Sequence, residues 1–499
     1  MSDEETTRLS FIIVGASISG LASAIALKTA GHSVLVLERD SQLGGVGPVP
    51  NRSACAQIPP NGCKILLDWG LAKEIETHSA PLAGFALYKY AAEGQIPGPD
   101  HMGNNMWDLE LLEEARGGYL QFSHRELTQF LYNVATKDTE FAPPVSFRFE
   151  AEVVEIDCNA CSVTLRSGEA HAADAIIGAD GVNGVVRRTL LQEEGECTDT
   201  EANTGMAVYS AIVENSVAVE NGLNLFVDYP GSTIWAGSNR GLKTFPVGAH
   251  NDIWILFYTP DSSQEGNWME EAQKKITDVL GPCDSMLQKL VALAGPATCI
   301  QMKEHHALES WVSASGRVLV LGDAAHPLPP GAVHSYSVAL EDGAFIGKIF
   351  THTRNSNRVP EFLRAFQEHR ESRCSRIRQM EQEYISAITL PDGEMQVERD
   401  IGIRARQAAG QNVLEGDMQQ MMEDFRMVFG YEATDDADEW WMTWGRYRDD
   451  SATSAVVDGS KYSTVFTTTS TQEEQDYPPP SDKYEQLAGK LEGHVQMYS

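Results

Sequence analysis

Three short segments set glycine beside a carboxylate in a way that chemistry can use. The first is Gly15-Ala16-Ser17-Ile18-Ser19-Gly20. It lies between a mostly apolar run, Leu9 to Val14, and a stretch of small and apolar residues at helical spacing, Ile18 to Thr29; Ser33 to Leu37 is again mostly apolar. That is the pattern of strand, tight turn, helix and second strand. Gly15 permits the turn, Gly20 lets helix and strand pack closely, and the helix N-terminus offers unpaired N–H groups to a pyrophosphate. Ser17 stands where the fingerprint carries its central glycine and brings a small hydroxyl to the phosphate path. Glu38, 18 residues after Gly20, ends the second strand, where a carboxylate can accept from both ribose hydroxyls. Arg39 follows as either an adenosine contact or a solvated charge. Turn and carboxylate together indicate a bound dinucleotide.

The second and third segments are Gly178-Ala179-Asp180-Gly181-Val182-Asn183-Gly184-Val185-Val186-Arg187, after Ala175-Ile176-Ile177, and Gly322-Asp323-Ala324-Ala325-His326-Pro327-Leu328-Pro329-Pro330, after Arg317 to Leu321. Each aspartate follows a strand end, where open sheets place ligands. An isolated aspartate there could instead cap a helix. Taken in order, the three segments resemble the signatures of the group A flavoprotein monooxygenases, the p-hydroxybenzoate and salicylate hydroxylase family. Ile58-Pro59-Pro60-Asn61, typical of the salicylate hydroxylase-like branch, and His124-Arg125-Glu126-Leu127 are similar as well; the resemblance covers roughly residues 9 to 390.

The resemblance implies FAD as cofactor and NADH or NADPH as a transient co-substrate. Glu38 would hold the adenosine ribose, Arg52 and Arg125 the phosphate region, and Asp323 the ribityl chain. Asp180 would lie near the pyrophosphate and shape the path for NAD(P)H. Pro330 would lie beside the flavin ring, with the backbone of Ser335 and Tyr336 at its pyrimidine edge. In such enzymes NAD(P)H reduces FAD and leaves, and dioxygen is then activated to attack an electron-rich ring. The chain carries one dinucleotide fingerprint, which argues against reductases with two dinucleotide domains. It departs from the family in two places: Gly184 replaces the usual serine, and a Gly-rich turn with Asn is here Gly-Ala-Val-His-Ser-Tyr-Ser, from Gly331 to Ser337.

Phenolate is a far stronger nucleophile than phenol, so a group that favours the anion lowers the barrier. His334 is the first candidate for that proton, because histidine titrates near neutrality. Tyr209, Tyr336 and Arg240 are weaker candidates; Arg240, with Lys243, offers a local cation for a carboxylate substrate. His326 is read as satisfying its own loop. The expected reaction is hydroxylation of a phenolic substrate, a hydroxybenzoate-type acid by analogy with the branch, with loss of its carboxylate where attack falls on the substituted carbon. Other readings are a monooxygenase of a larger indole or polyketide metabolite, a FAD-binding protein without turnover, and a flavin oxidase or dehydrogenase.

The elements that must position these residues follow from the rest of the chain. The fold class expected is α/β: a Rossmann-like FAD-binding domain from residues 1–85, 116–195 and 300–350, a β-sheet substrate domain from 86–115 and 196–299, a helical C-terminal region over 351–445 and a polar tail over 446–499. Met206 to Val213, Leu223 to Val227, Thr233 to Ala236 and Ile253 to Tyr258 read as strands of a mostly antiparallel sheet. Pro360 to Ile385 reads as one charged amphipathic helix with Pro360 at its start. The Trp440 to Trp444 cluster reads as packing of the C-terminal segment.

The chain has 499 residues, and its 38 Lys and Arg against 71 Asp and Glu give a net charge of −33. That field repels phosphate backbones and anionic lipid surfaces, so neither nucleic acid nor membrane is an expected partner. A small aromatic substrate and dioxygen are, and a homodimer is the quaternary expectation. No run of about 18 apolar residues indicates a membrane span, and the acidic start does not resemble a signal peptide, so the cytoplasm is the expected compartment. Eight scattered cysteines do not make a disulfide scaffold. Cys158 and Cys161 flank a hairpin turn, with zinc as the lesser reading, and no metal is expected.

Overall fold

The computed structural model describes residues 8–44, 55–91, 98–138, 144–195, 201–261, 272, 274–413 and 418–448. Most of the polar tail, 449–499, therefore lies outside the described residues.

The strands Ser10–Val14 and Ser33–Leu37 flank the helix Ile18–Thr29 and pair in parallel, Phe11 beside Val34. They belong to a five-stranded parallel sheet in the order Val318–Val320, Ala175–Gly178, Ser10–Val14, Ser33–Leu37, Ser146–Arg148. Continuous apolar runs fit strands covered on both faces. The glycine turn, Asp180 and Asp323 all follow the carboxyl ends of neighbouring strands of this sheet, where open α/β sheets place their ligands.

A second sheet of seven strands runs in the order Thr298–Glu304, Ala202–Val213, Asp252–Pro260, Arg240–Val247, Ser232–Gly237, Gly84–Lys89, His101–Met106. It is antiparallel except where Ser232–Gly237 meets Gly84–Lys89. Its faces carry separate cores: Tyr209, Trp235, Leu242 and Phe257 pack on one, Val208, Phe245, Trp254 and Tyr258 on the other. The second face turns toward the cavity described below, which Trp254 lines. The Leu223 to Val227 run is not a strand; Asn224–Asp228 is a short helix. Its buried residues are Leu223 and Phe226, a three-residue step that suits a helix and not a strand.

The long helix spans Val359–Ile388 with proline in its first turn. It is tied to the helix Ser335–Phe350 by buried ion pairs. Glu341 meets Arg370 and Arg373 at 2.8 Å each and accepts from Asn61 Nδ2 at 2.6 Å. Burial alone would raise the Glu341 carboxyl, but the two arginines bring it down to about 2. Asp342 accepts from Arg370 Nε at 2.9 Å, lies 2.7 Å from His326 Nε2, and accepts from the Gly322 backbone N–H at 2.9 Å. His326 is thus paired outside its own loop, to the helix Ser335–Phe350, and the network holds the Gly322 turn in place. Trp440 is buried in the core and Trp441 stacks on His352, whereas Trp444 is 64% exposed.

Candidate active site

Gly15 adopts φ +100°, and a side chain on it would lie 2.5 Å from the Ala179 carbonyl oxygen. A Cβ at Gly20 would lie 2.2 Å from the Gly15 oxygen, so neither position admits another residue without displacing backbone. Ser17 caps the helix: its Oγ accepts from the Gly20 N–H at 3.3 Å and donates to the Ala179 carbonyl at 2.9 Å. That second bond stitches the turn to the strand that carries Asp180. Glu38 accepts from the Ala16 N–H at 2.8 Å and from the Asp40 N–H at 3.0 Å, which fixes the carboxylate before any ribose arrives. Arg39 is largely exposed at the rim.

Asp180 does two things. Its Oδ2 accepts from the Val186 N–H at 3.1 Å, capping the helix Val185–Glu193, while Oδ1 is buried without a partner. Burial pushes its carboxyl up to about 6 against the backbone N–H groups around it. Gly184 leaves room for the Asp180 carboxylate. A Cβ there would sit 2.2 Å from the Asp180 carboxylate, so the aspartate fills the space of a side chain at this cap. Asp323 is exposed on the cavity wall but flanked by protein mass, and that desolvation, with Asp342 nearby, raises its carboxyl while His326 opposes the shift.

These groups line one cavity of about 1730 Å³ that also reaches Pro330, Ser335 and Tyr336. It exceeds the few hundred to roughly 1,000 Å³ of most small-molecule sites. A helix tip, a held ribose carboxylate and strand-end aspartates suit an extended adenine–flavin dinucleotide. Two buried polar atoms without partners, Asp180 Oδ1 and Nε2 of the cavity-lining Gln57, are consistent with a polar ligand completing the wall. The residues present fit FAD.

The Pro330–Gly331 turn lies on the cavity wall and meets the second sheet through two hydrogen bonds. The Gly331 carbonyl accepts from Lys243 Nζ and from Tyr258 OH, both at 3.2 Å. Lys243 is fully buried, with the rings of Tyr384 and Tyr258 5.0 and 5.2 Å from its ammonium. Burial lowers it to about 8, with Glu381 acting in the opposite sense. His334 is 4% exposed and is not on the cavity wall. Its Nδ1 lies 2.6 Å from Glu381, its ring stacks on Phe429, and its Nε2 is buried without a partner.

Four expectations need correction, and His334, buried off the cavity wall, is the first. Tyr209 is on the far face of the seven-stranded sheet, where its hydroxyl donates to Asp261 at 2.9 Å. Strand alternation puts it opposite Val208 and Tyr258, away from the cavity. Arg240 donates to the Leu280 carbonyl at 2.8 Å and does not line the cavity; the cation against the Pro330–Gly331 turn is Lys243, buried behind the cavity wall. Arg125 is exposed and off the wall, because His124 and Thr128, four residues apart, hold the inward face of their helix. Arg52 lies outside the described residues.

Glu381, Tyr258, Tyr384 and Gln57 belong to no motif in the sequence. Their signal was weak, since each sits in a stretch whose periodicity reports only burial. His124 appeared only within a motif; burial holds it down to about 4. Among the described residues, the three groups close enough to share a metal are His326, Asp342 and Cys374, all buried. Arg370 already answers the Asp342 charge.

The family profile described as FAD binding domain matches residues 8–381, and the chain belongs to that family, the group A FAD-dependent aromatic monooxygenases. It is 27% identical over 415 residues to the FAD-dependent monooxygenase atnJ of Arthrinium sp, covering 81% of this chain and 90% of that protein. It is 26% identical over 381 residues to 3-hydroxybenzoate 6-hydroxylase of Polaromonas naphthalenivorans, covering 76% and 87%. Klebsiella pneumoniae HpxO complexed with FAD and uric acid superposes with a TM-score of 0.67 at 20% identity, covering 84% of this chain and 96% of that one. A salicylate hydroxylase substrate complex gives 0.66 at 18%, covering 87% and 98%. The protein is an FAD-dependent monooxygenase with the fold of those hydroxylases, and no helix among its described residues is long and apolar enough to cross a membrane.

Proposed function

We propose that this monooxygenase hydroxylates a phenolic aromatic substrate, with a hydroxybenzoate-type acid as the preferred class. The observation that carries the reading is the buried set Lys243, Glu381 and His334 against the Pro330–Gly331 turn, next to a cavity that Trp254, Ile300 and Ile385 help to line. When bound, FAD supplies the redox chemistry, taking a hydride from NAD(P)H and activating dioxygen. The protein's own residues do the rest. The aromatic and aliphatic wall excludes water from the ring. Lys243 favours negative charge near the turn, hence the phenolate over the phenol. Glu381 fixes the His334 imidazole, which is buried off the cavity wall and ties the loop after the Pro330–Gly331 turn to the long helix.

The acid preference is supported by the buried cation, by the relative named 3-hydroxybenzoate 6-hydroxylase and by the salicylate hydroxylase likeness. Attack at a carbon bearing the carboxylate would release it as carbon dioxide. The test is NAD(P)H oxidation by holoenzyme with a panel of phenolic acids under labelled dioxygen. Substrate-stimulated oxidation and a product carrying one labelled oxygen atom are expected. Oxidation that no phenol stimulates, or a product without the label, overturns the reading.

A further inference from the structure

One edge of the long helix enters the cavity: Arg378, Gln382, Ile385, Ser386 and Thr389 all line it, at the three- and four-residue steps that share a helical face. Arg378 is the charged residue of that edge. Among the described residues no hydrogen bond or ion pair holds it, and its Nε is buried without a partner. Its neighbours on the same helix, Arg370 and Arg373, are both matched by carboxylates. Burial, together with the like charge of Arg187, holds the Arg378 guanidinium below its ordinary range, with Cys374 acting in the other direction. Arg187 itself donates to the carbonyls of Ala324 and His306. Arg378 therefore stands where the long helix, the Asp323 turn and the end of the Thr298–Glu304 strand come together.

A partly buried guanidinium with a second cation near it and no carboxylate is a costly arrangement unless a ligand completes it. In a chain of net charge −33, any anion that enters this cavity also needs a local cation to overcome the field. The FAD diphosphate has the helix tip at Gly15–Gly20. The chain has no second fingerprint, so a second dinucleotide must be held by side chains.

We propose that Arg378 is the anion hook of the nicotinamide co-substrate, receiving the diphosphate of NAD(P)H as the nucleotide enters the cavity. Arginine suits this because its planar fork can donate two parallel bonds to phosphate oxygens, which lysine cannot. The assignment rests on the monooxygenase reading above, and the experiment separates the two.

Holoenzyme is mixed anaerobically with NADH or NADPH, and the loss of flavin absorbance is followed against nucleotide concentration. Arg378→Gln is expected to raise the apparent Kd for the nucleotide roughly ten- to a hundredfold, the range for losing a charged hydrogen-bond partner. The limiting reduction rate should stay near that of the unaltered enzyme, and Arg378→Lys should recover part of the affinity. Phenolic-acid binding, read from the flavin spectrum, should not change. In the unaltered enzyme, inorganic pyrophosphate should compete with the nucleotide and not with the phenolic acid, which keeps the test independent of how the variants fold. An unchanged nucleotide Kd overturns the hook. So does a loss confined to the phenolic acid, which would assign the cation to the substrate carboxylate. If neither nucleotide reduces the unaltered holoenzyme, the monooxygenase reading fails and the hook falls with it.

Discussion

The backbone N–H and the imidazole Nδ1 of His334 converge on a single oxygen, Oε1 of Glu381, at 2.9 and 2.6 Å. The contact joins the residue preceding the Ser335–Phe350 helix to the long helix, so the imidazole is oriented by both its own chain and a distant one. Ring rotation would break the pair, and the free Nε2 is therefore aimed rather than loose. Its counterpart, Glu381 Oε2, is likewise buried without a partner.

His334 is buried off the cavity wall, so its part is to position the turn and not to exchange a proton with substrate. His334→Gln should therefore lower the hydroxylation rate by a similar factor at neutral and alkaline pH, and Glu381→Gln should reproduce that loss in part. The pH profile of the hydroxylation rate checks this, and a loss on the order of 10²-fold confined to neutral pH, the scale of a general base, would return His334 to the proton path.

Lys243→Met tests the buried cation in two ways. The folded-state value of about 8 lies below the ordinary 10.5, so the folded protein binds fewer protons between those limits and gains stability as pH rises through them. Below pH 8 the full cost of the buried ammonium is present. The variant should therefore be more stable to unfolding than the parent at pH 7, by at most ~3 kcal/mol less the lost Gly331 bond, and the gap should close toward pH 10. Loss of one donor to the Gly331 carbonyl should also lower the ratio of hydroxylated product to NAD(P)H oxidised. Equal coupling in the two proteins would show that Lys243 does not position the turn.

Tyr209 and Lys243 show which features could be read from sequence. Both lie in strands of the same sheet, and both were visible as polar groups in apolar runs. Which face each occupies depends on the parity of its position relative to the buried set, and both faces of this sheet are buried. With no alternation of apolar and polar residues to mark an outside, the sequence carries no sign of which side the cavity lies on. The glycine turn, Glu38, Asp180 and Asp323 were legible because their spacing reflects a local strand-to-turn geometry. The Glu381–His334 and Glu341–Arg370 pairs were not, since the partners are 47 and about 30 residues apart on different helices. Gly184 is an intermediate case. Its missing serine was visible, but the aspartate that fills its place could be seen only in three dimensions.

Tyr209→Phe supplies a control for this assignment. Its hydroxyl bonds Asp261 on the far face of the sheet, so turnover and coupling should stay within roughly twofold of the parent, while unfolding stability drops by about 1–2 kcal/mol for a lost buried hydrogen bond. A denaturant titration and an initial-rate assay together decide it. A large fall in rate without a fall in stability would return Tyr209 to the site.

Asp180→Asn separates the capping role from the charge. The Asn oxygen can still accept from the Val186 N–H, so the cap survives. The parent carboxyl is raised by burial from 3.8 to about 6, so the folded protein binds more protons than the unfolded chain between those values, and stability falls as pH rises through that window. Above pH 6 the cost is fully present. In the FAD-free protein the variant should then be more stable than the parent by ~1–2 kcal/mol, discounted for the solvent on its cavity side, and the two should converge near pH 4. Because a carboxylate near a pyrophosphate is repelled by it, FAD affinity of the parent should weaken as pH rises through 6, whereas that of Asp180→Asn should stay level. Fluorescence titration of the apoprotein with FAD at pH 5 and pH 8 measures the difference. Parallel slopes would mean that Asp180 only caps its helix and does not face the cofactor's phosphates.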